Sequence, residues 1–221
     1  MRVLGIETSG TKGGIALLDG GRVCGIRRFE KGMVHGREIA PSIRALLDEA
    51  GLEPGAIDLV ACDIGPGSYT GLRVGLAAAK GLVLALRKPI IGVASLDALA
   101  EAAHDRARLL CPVIDAHCER IYGALYEDGR RTTDYLAQKP DAFAAAVPKE
   151  AFVFGDALEP YGGLFRDVTQ GSRELWDPRP EMIALLGLRL HEQGVRNDAA
   201  TMTPLYLRPT EAEIKFARNS S

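Results

Sequence analysis

The sequence predicts a two-lobed α/β fold built by duplicating one βββαβαβα unit. Three observations predict it. Short apolar runs alternate with longer segments of helical period along the whole chain. The resulting order of elements occurs twice. A shift of 108 residues also brings the halves into register without a gap. Ile6 falls on Ile114, Glu7 on Asp115, Lys12 on Arg120, Ala16 on Ala124, Leu17 on Leu125, Asp19 on Glu127, Gly21 on Gly129 and Arg22 on Arg130. Hairpins share constraints, so such matches also arise by chance. The repeated element order makes duplication the better explanation. The lobes are expected at 1–107 and 108–221, with the tail of the second packing back on the first.

Taken in order, Arg2–Glu7, Gly13–Asp19 and Arg22–Glu30 read as strands, the last two joined by the tight Asp19-Gly20-Gly21 turn. Gly36–Ala50 reads as a helix with Ile39, Ile43, Leu46, Leu47 and Ala50 on one face. Pro41 belongs near its first turn or kinks it. Ile57–Ile64 is a strand, Tyr69–Arg87 a long helix, Pro89–Val93 a strand, and Ser95 caps a helix to about Ala107. In the second half Leu110–Asp115, Arg120–Glu127 and Thr133–Gln138 read as strands. A short helix at Asp141–Ala146, a strand at Ala151–Gly155, a helix near Leu158–Tyr161, a strand near Phe165–Thr169 and a helix at Pro180–Gln193 follow.

The stretch IGPGSYTGLRVGLAAAKGLVLALRKPIIGV, residues 64–93, stands out. Gly65 and Gly67 permit a turn closed to other residues, Pro66 stiffens it, and Ser68 or Thr70 caps the helix. Along that helix Arg73, Lys80 and Arg87 recur every seven residues and form one stripe. Gly71, Gly75 and Ala78 form a small-residue face expected against the chain's own sheet. Leu72, Leu76 and Val83 are expected to face outward, beside Ile39, Ile43 and Leu46 of the neighbouring helix. A helix apolar over most of its circumference is covered on more than one side. The bland reading is burial within its own domain; the sharper one is a partner. A third reading makes Glu7, Thr8 and Ser9, with Gly65, Gly67, Ser68 and Thr70, an anion or nucleotide loop at the helix N-terminus. GPGSYTG lacks the Lys-Ser/Thr ending of a P-loop.

Length and composition bound the rest. The chain has 221 residues and a net charge of −2, without a basic block, so autonomous nucleic-acid binding is not indicated. The N-terminal apolar run is too short for a signal peptide and no apolar stretch reaches spanning length, so the cytoplasm is expected. Cys24, Cys62, Cys111 and Cys118 form no CxxC, and Cys111 and Cys118 around His117 do not match a zinc spacing. They read as reduced, mainly structural thiols.

A duplicated βββαβαβα unit is the architecture of actin, the sugar kinases and Hsp70. In that superfamily ATP lies between the lobes, and the first hairpin of each supplies an acidic, glycine-rich phosphate loop. Here the first loop is Glu7-Thr8-Ser9-Gly10-Thr11, and the second, Asp115-Ala116-His117-Cys118-Glu119, contains no glycine. Gly162-Gly163 runs into Leu164-Phe165-Arg166 rather than an adenosine-binding segment. The fold is kept while the nucleotide chemistry reads as eroded.

MRVLGIETSGTKGGIALLD, GPGSYTGLRVGLAAAKGLVLAL, KPIIGVASLDALA and TPLYLRPTEAE together resemble the TsaB (YeaZ) family over essentially the whole chain. GPGSYTGLRVG followed by AKGL is the most specific part. The resemblance implies a non-catalytic scaffold in making threonylcarbamoyladenosine at position 37 of tRNAs that read ANN codons. It would pair with the larger paralogue TsaD and recruit the small ATPase TsaE, meeting tRNA only through the complex and forming a homodimer when alone. The partner interface would be Ile39, Ile43, Leu46, Leu72, Arg73, Leu76, Lys80, Val83 and Arg87. TsaD carries a metal motif of two histidines after a Gly-Val; on this chain those positions fall at Ser95 and Leu99, so neither metal nor cofactor is implied. His35, His104, His117 and His191 are scattered. The alternatives are a degenerate small-molecule kinase or ATPase using Glu7 and Asp115, and a glycoprotease-like metallopeptidase, against which stands the lack of an HExxH motif.

Overall fold

In the computed structural model, which describes residues 1–29 and 35–208, the two halves build sheets of the same topology. The first contains β1 (Arg2–Glu7), β2 (Gly14–Asp19), β3 (Arg22–Arg28), β4 (Leu59–Gly65) and β5 (Ile90–Ala94), in the order β3-β2-β1-β4-β5. The second contains β6 (Leu109–Asp115), β7 (Ile121–Gly123), β10 (Leu136–Gln138), β11 (Phe152–Phe154) and β12 (Thr169–Gln170), in the order β10-β7-β6-β11-β12. Position for position this is one order used twice, an antiparallel hairpin extended by parallel strands. The duplication read from the 108-residue shift is thus a duplication of topology.

The second copy departs from the first in one place. Where one strand over Arg120–Glu127 was expected, the chain breaks after Gly123 and inserts a small ribbon, β8 (Tyr126–Glu127) and β9 (Arg130–Arg131). β8 pairs with the start of β6 while β7 pairs with its end. Gly123 marks the break because Phe143 presses on it: a Cβ there would lie 2.4 Å from the phenyl ring. The expected strand Phe165–Thr169 is a 3-10 turn at Gly162–Phe165 followed by β12.

The helices are α1 (His35–Glu49), α2 (Tyr69–Leu86), α3 (Ser95–Ala102), α4 (Pro140–Ala146), α5 (Leu158–Tyr161) and α6 (Pro180–Glu192). Pro41 lies inside α1, in its second turn rather than its first. Ser95 does not cap α3. Ala94 is the N-cap residue, and the Ser95 hydroxyl turns inward to Asp63. α2 starts at Ser68, whose Oγ accepts the Gly71 N–H at 3.2 Å, and ends at Arg87 in the left-handed conformation. By length and composition α2 also falls within the range of a membrane span, contrary to the sequence expectation. Its inner side is core of the first lobe, which accounts for the apolar composition.

Each sheet is covered on both faces. On one face of the first, Leu4, Ile6, Ile15, Leu17 and Val60 meet Ile39, Ile43, Leu46 and Leu47 of α1 and Leu76, Ala79 and Val83 of α2. On the other, Val3, Leu18, Leu59, Ala61, Ile91 and Val93 meet Ile183, Ala184 and Leu188 of α6. α6 follows the second sheet in sequence yet packs on the first. The reverse holds for α3, whose Leu96, Leu99, Ala100 and Ala103 pack with Leu110, Ile114 and Tyr122 of the second sheet. The last helix of each repeat therefore covers the other repeat's sheet. After α6 the chain continues along the first lobe: Asn197 bridges Ile90 and accepts the Gly92 N–H at 3.0 Å, and Leu205 donates to the Ile64 carbonyl at 2.7 Å.

Candidate functional site

The first turn of α2 and the loop after β1 are built into one another. Gly71 and Gly75 are a turn apart and face Thr8. A Cβ on Gly71 would lie 1.9 Å from the Thr8 carbonyl oxygen, and one on Gly75 would lie 2.1 Å from Thr8 Oγ1. Glycine at both positions lets backbone meet backbone, and Thr8 Oγ1 donates to the Gly71 carbonyl at 2.8 Å. Ser68 N–H donates to the Ser9 carbonyl at 2.9 Å. The small face is turned inward at these glycines, but onto the loop after β1 rather than onto the sheet.

Beneath this joint lie two carboxyl groups. Glu7 ends β1 and Asp63 lies near the end of β4, and both are fully buried. Glu7 Oε1 accepts the Ser9 N–H at 2.6 Å and the Gly10 N–H at 2.9 Å. Asp63 Oδ1 accepts the Gly65 N–H and the Ser95 hydroxyl, both at 2.7 Å. The Ser9 hydroxyl lies between the groups, 2.9 Å from Glu7 Oε1 and 2.7 Å from Asp63 Oδ2. Burial pushes the Glu7 carboxyl up to about 8, helped by the neighbouring Asp63 charge. Burial raises Asp63 to about 6, against the hydrogen bonds from Ser95, Gly65 and Ser9.

This geometry corrects the anion-loop expectation. Glu7, Thr8, Ser9, Gly65, Gly67, Ser68 and Thr70 do come together. However, the Ser9 and Gly10 amides are turned onto Glu7, and the Thr8 and Ser9 hydroxyls are engaged internally. Gly67 packs on Ser9, a Cβ there lying 2.7 Å from the Ser9 Cβ. Ser68 and Thr70 are exposed at the start of α2. An internal carboxyl thus occupies the loop amides that a phosphate would use. Beyond Gly10, Thr11 Oγ1 donates to Asp177 at 2.8 Å and Lys12 pairs with it at 3.4 Å, so the segment before α6 holds the loop from outside.

The corresponding loop of the second lobe is also acidic. His117, Cys118 and Glu119 are consecutive residues at positive φ (54, 50 and 55°), where glycine would be expected. His117 Nδ1 lies 3.1 Å from Asp115, and Asp156 accepts the Asp115 N–H at 2.8 Å. Burial raises the Asp156 carboxyl to about 6. Among the described residues no group of three or more His, Cys, Asp or Glu side chains is placed to hold a metal. Ser95 and Leu99 are buried, Ser95 as a donor to Asp63 and Leu99 in the core. Cys62 and Cys111 are buried; Cys24 and Cys118 are exposed.

The expected partner interface needs a larger correction. Ile39, Ile43, Leu46, Leu72, Leu76 and Val83 are all at most 8 % exposed in the isolated chain, so their side chains face inward. The inner arc of α2 includes the small face and these leucines together: Gly71, Leu72, Gly75, Leu76, Ala79 and Val83. Arg73 and Lys80 of the charged stripe are engaged within the chain. Arg73 stacks over Tyr69 at 4.1 Å and donates to the Tyr206 hydroxyl at 3.0 Å, and Tyr69 and Tyr206 stack with centroids 5.1 Å apart. Lys80 reaches the Ala200 carbonyl at 3.4 Å, and Arg87 is the helix C-cap. The outward side of α2 keeps Arg73 of the expected set and otherwise differs from it, with Thr70, Ala77, Gly81, Leu84 and Ala85 exposed. Leu84 is 70 % exposed, the most exposed large apolar side chain described. The sequence already contained this stripe at spacings of three and four; the arc misread as outward was that of Leu72, Leu76 and Val83, which is core.

Comparison with known proteins places this arrangement. The family model of TsaD, tRNA N6-adenosine threonylcarbamoyltransferase, matches residues 31–153. The tRNA threonylcarbamoyladenosine biosynthesis protein TsaB of Bacillus subtilis is 28% identical, covering 98% of this chain and 98% of that protein. The structure of YeaZ from Pseudomonas aeruginosa superposes with a TM-score of 0.84 at 27% identity, covering 93% of this chain and 99% of that one. A ROK hexokinase from Thermus thermophilus shares the fold alone, with a TM-score of 0.51 at 14% identity over 88% of this chain and 100% of that one.

Proposed function

Because the chain belongs to the threonylcarbamoyltransferase (TsaD) family, in its TsaB (YeaZ) branch, and so has a role in tRNA threonylcarbamoyladenosine synthesis, we propose that it acts there as a non-catalytic subunit that pairs with TsaD. The observation that carries this reading is the outward stripe of α2. A helix buried on its inner arc leaves Ala77, Gly81 and Leu84 uncovered along the other. Small residues beside one large apolar side chain allow a second helix to approach closely, and that large side chain supplies an anchor. Arg73, already fixed by Tyr69 and Tyr206, borders the patch and orients what docks on it.

The loops support a subunit without its own phosphoryl chemistry. The first turns its amides onto Glu7, and the second has His117, Cys118 and Glu119 in place of glycines. These features weigh against the kinase or ATPase reading, and Ser95 and Leu99 weigh against the metallopeptidase one. In this proposal tRNA and the TsaE ATPase are met through the complex in the cytoplasm, and a second copy of the chain covers α2 when TsaD is absent.

Reconstitution tests the role. Threonylcarbamoyladenosine should form on an ANN-reading tRNA when TsaD, TsaE, the donor-making enzyme and this chain are combined. It should not form with this chain alone or with this chain left out. Modification by the isolated chain, or ATP turnover lost on Asp115→Ala, would overturn the proposal.

A further inference from the structure

The arrangement around Glu7 and Asp63 contains a proton that can be assigned. Each oxygen of the pair can be checked for a donor. Asp63 Oδ1 has two, the Gly65 N–H and the Ser95 hydroxyl. Asp63 Oδ2 has the Ser9 hydroxyl. Glu7 Oε1 has the Ser9 and Gly10 N–H groups. Glu7 Oε2 is buried and has none among the described residues. Ser9 has one hydroxyl hydrogen and two carboxyl groups in reach, so it cannot serve both.

An ionised Glu7 would leave a buried, charged Oε2 with no donor among the described residues, beside a second carboxylate. A protonated Glu7 resolves both problems. Oε2 becomes a donor, and the Ser9 hydroxyl, 2.9 Å from Glu7 Oε1 and 2.7 Å from Asp63 Oδ2, shows how close the two carboxyl groups lie. Asp63 then remains the anion, and Ser95, Gly65, Ser9 and Glu7 surround it. Neutral Glu7 keeps its carbonyl-like Oε1 for the two loop amides.

We propose that the chain carries one structural proton, held on Glu7 and donated to Asp63, and that this proton fastens the β1–β2 loop to the start of α2 and to α3. The groups facing the pair are consistent with this. From β4 comes Cys62, whose thiol is raised by its burial and by both carboxyls. From α3 comes the neutral Ser95. From the segment before α6 comes Asp177, beyond Gly10 and paired with Lys12 at 3.4 Å. Losing the proton places two negative charges in one buried site. The Ser9–Ser68 and Thr8–Gly71 bonds, which tie the loop to α2, are the contacts that give way. The inference is independent of what α2 binds.

The sign follows from burial. Glu7 binds its proton more tightly folded than unfolded, its pKa rising from an ordinary 4.5 to about 8. The stabilisation is full below the unfolded value and is lost as pH rises through the folded one. Urea denaturation of the full chain should therefore show an unfolding constant that rises about tenfold per pH unit over that window relative to Glu7→Gln. Glu7→Gln keeps a neutral donor at the second position and should remove this slope. Asp63→Asn should narrow the window without removing it, because burial, the larger cause, still acts on Glu7. Parallel pH profiles of wild type and both variants would overturn the proposal. Should neither variant fold, infrared spectroscopy of the wild-type protein gives an independent answer. A protonated-carboxyl carbonyl band should persist at neutral pH and vanish in mild alkali, and its absence at neutral pH overturns the assignment.

Discussion

Gly71→Ala and Gly81→Ala place the same methyl group on the same helix and should move stability in opposite directions. Around Gly81 nothing among the described residues lies within 4 Å of the added Cβ. That substitution should gain the helix-propensity difference, up to about 1 kcal/mol. At Gly71 the Cβ would stand 1.9 Å from the Thr8 carbonyl oxygen, against a contact optimum of roughly 3.5 Å. Thr8 has little room to move. The residue before it, Glu7, ends a strand paired to β2, and its own hydroxyl is bonded to the Gly71 carbonyl. Overpacking costs about 1–3 kcal/mol, and losing that buried hydrogen bond costs about 1 more. Gly71→Ala should therefore lose about 2–4 kcal/mol. At about 2–4 °C per kcal/mol for a chain of this size, Gly81→Ala should melt a few degrees above wild type and Gly71→Ala roughly 5–15 °C below. Urea titration followed by far-UV circular dichroism gives both values. If Gly71→Ala is as stable as Gly81→Ala, the joint between α2 and β1 described above is wrong.

Asp156 gives a second pH effect. Its carboxyl rises from 3.8 to about 6 through burial, so its contribution is present below the unfolded value and is lost as pH rises through 6, to a total on the order of 3 kcal/mol. Asp156→Asn keeps an acceptor for the Asp115 N–H and should flatten the stability profile between about pH 4 and 6; an unchanged profile would mean that the site is wetter than its burial implies. The thiols should divide evenly in a colorimetric titration of native protein. The exposed Cys24 and Cys118 should react promptly and the buried Cys62 and Cys111 only after unfolding; prompt reaction of all four would contradict the packing of β4 and β6.

The sheets were legible in the sequence because both halves repeat their hydrophobic pattern in register, and a central strand of a sheet covered on both faces is apolar on both. β1, β4 and β6 are such strands. The break between β7 and β8 was less legible, since an apolar run does not say which neighbour each residue pairs with. The exchange of α3 and α6 was hidden for the same reason. Periodicity identifies the apolar face of a helix, while the sheet it covers is a tertiary fact. The α2 faces show the limit most clearly. Leu72, Leu76 and Val83 flank the glycines on the wheel, and sequence placed the two groups on different surfaces. In the fold one inner arc takes both, because Thr8 meets the glycines while Leu76 and Val83 pack with the sheet. The Glu7–Asp63 pair was half visible. Glu7 was noted as the acid of a phosphate loop, but Asp63, more than fifty residues away, gave no local sign of lying against it.

The central claim is that the outward side of α2 binds TsaD, and Leu84 is where it can be tested most directly. Leu84 is 70 % exposed, so Leu84→Glu should leave the melting temperature of the isolated chain close to wild type. Burying a leucine contributes about 1.5–3 kcal/mol, and placing a carboxylate in its stead adds a desolvation penalty. Titration of TsaD from the same organism with wild-type and Leu84→Glu protein, followed by calorimetry or sedimentation, should show at least about a tenfold weaker complex for the variant, since tenfold corresponds to about 1.4 kcal/mol. Equal affinity for the two proteins, both folded, would contradict the account.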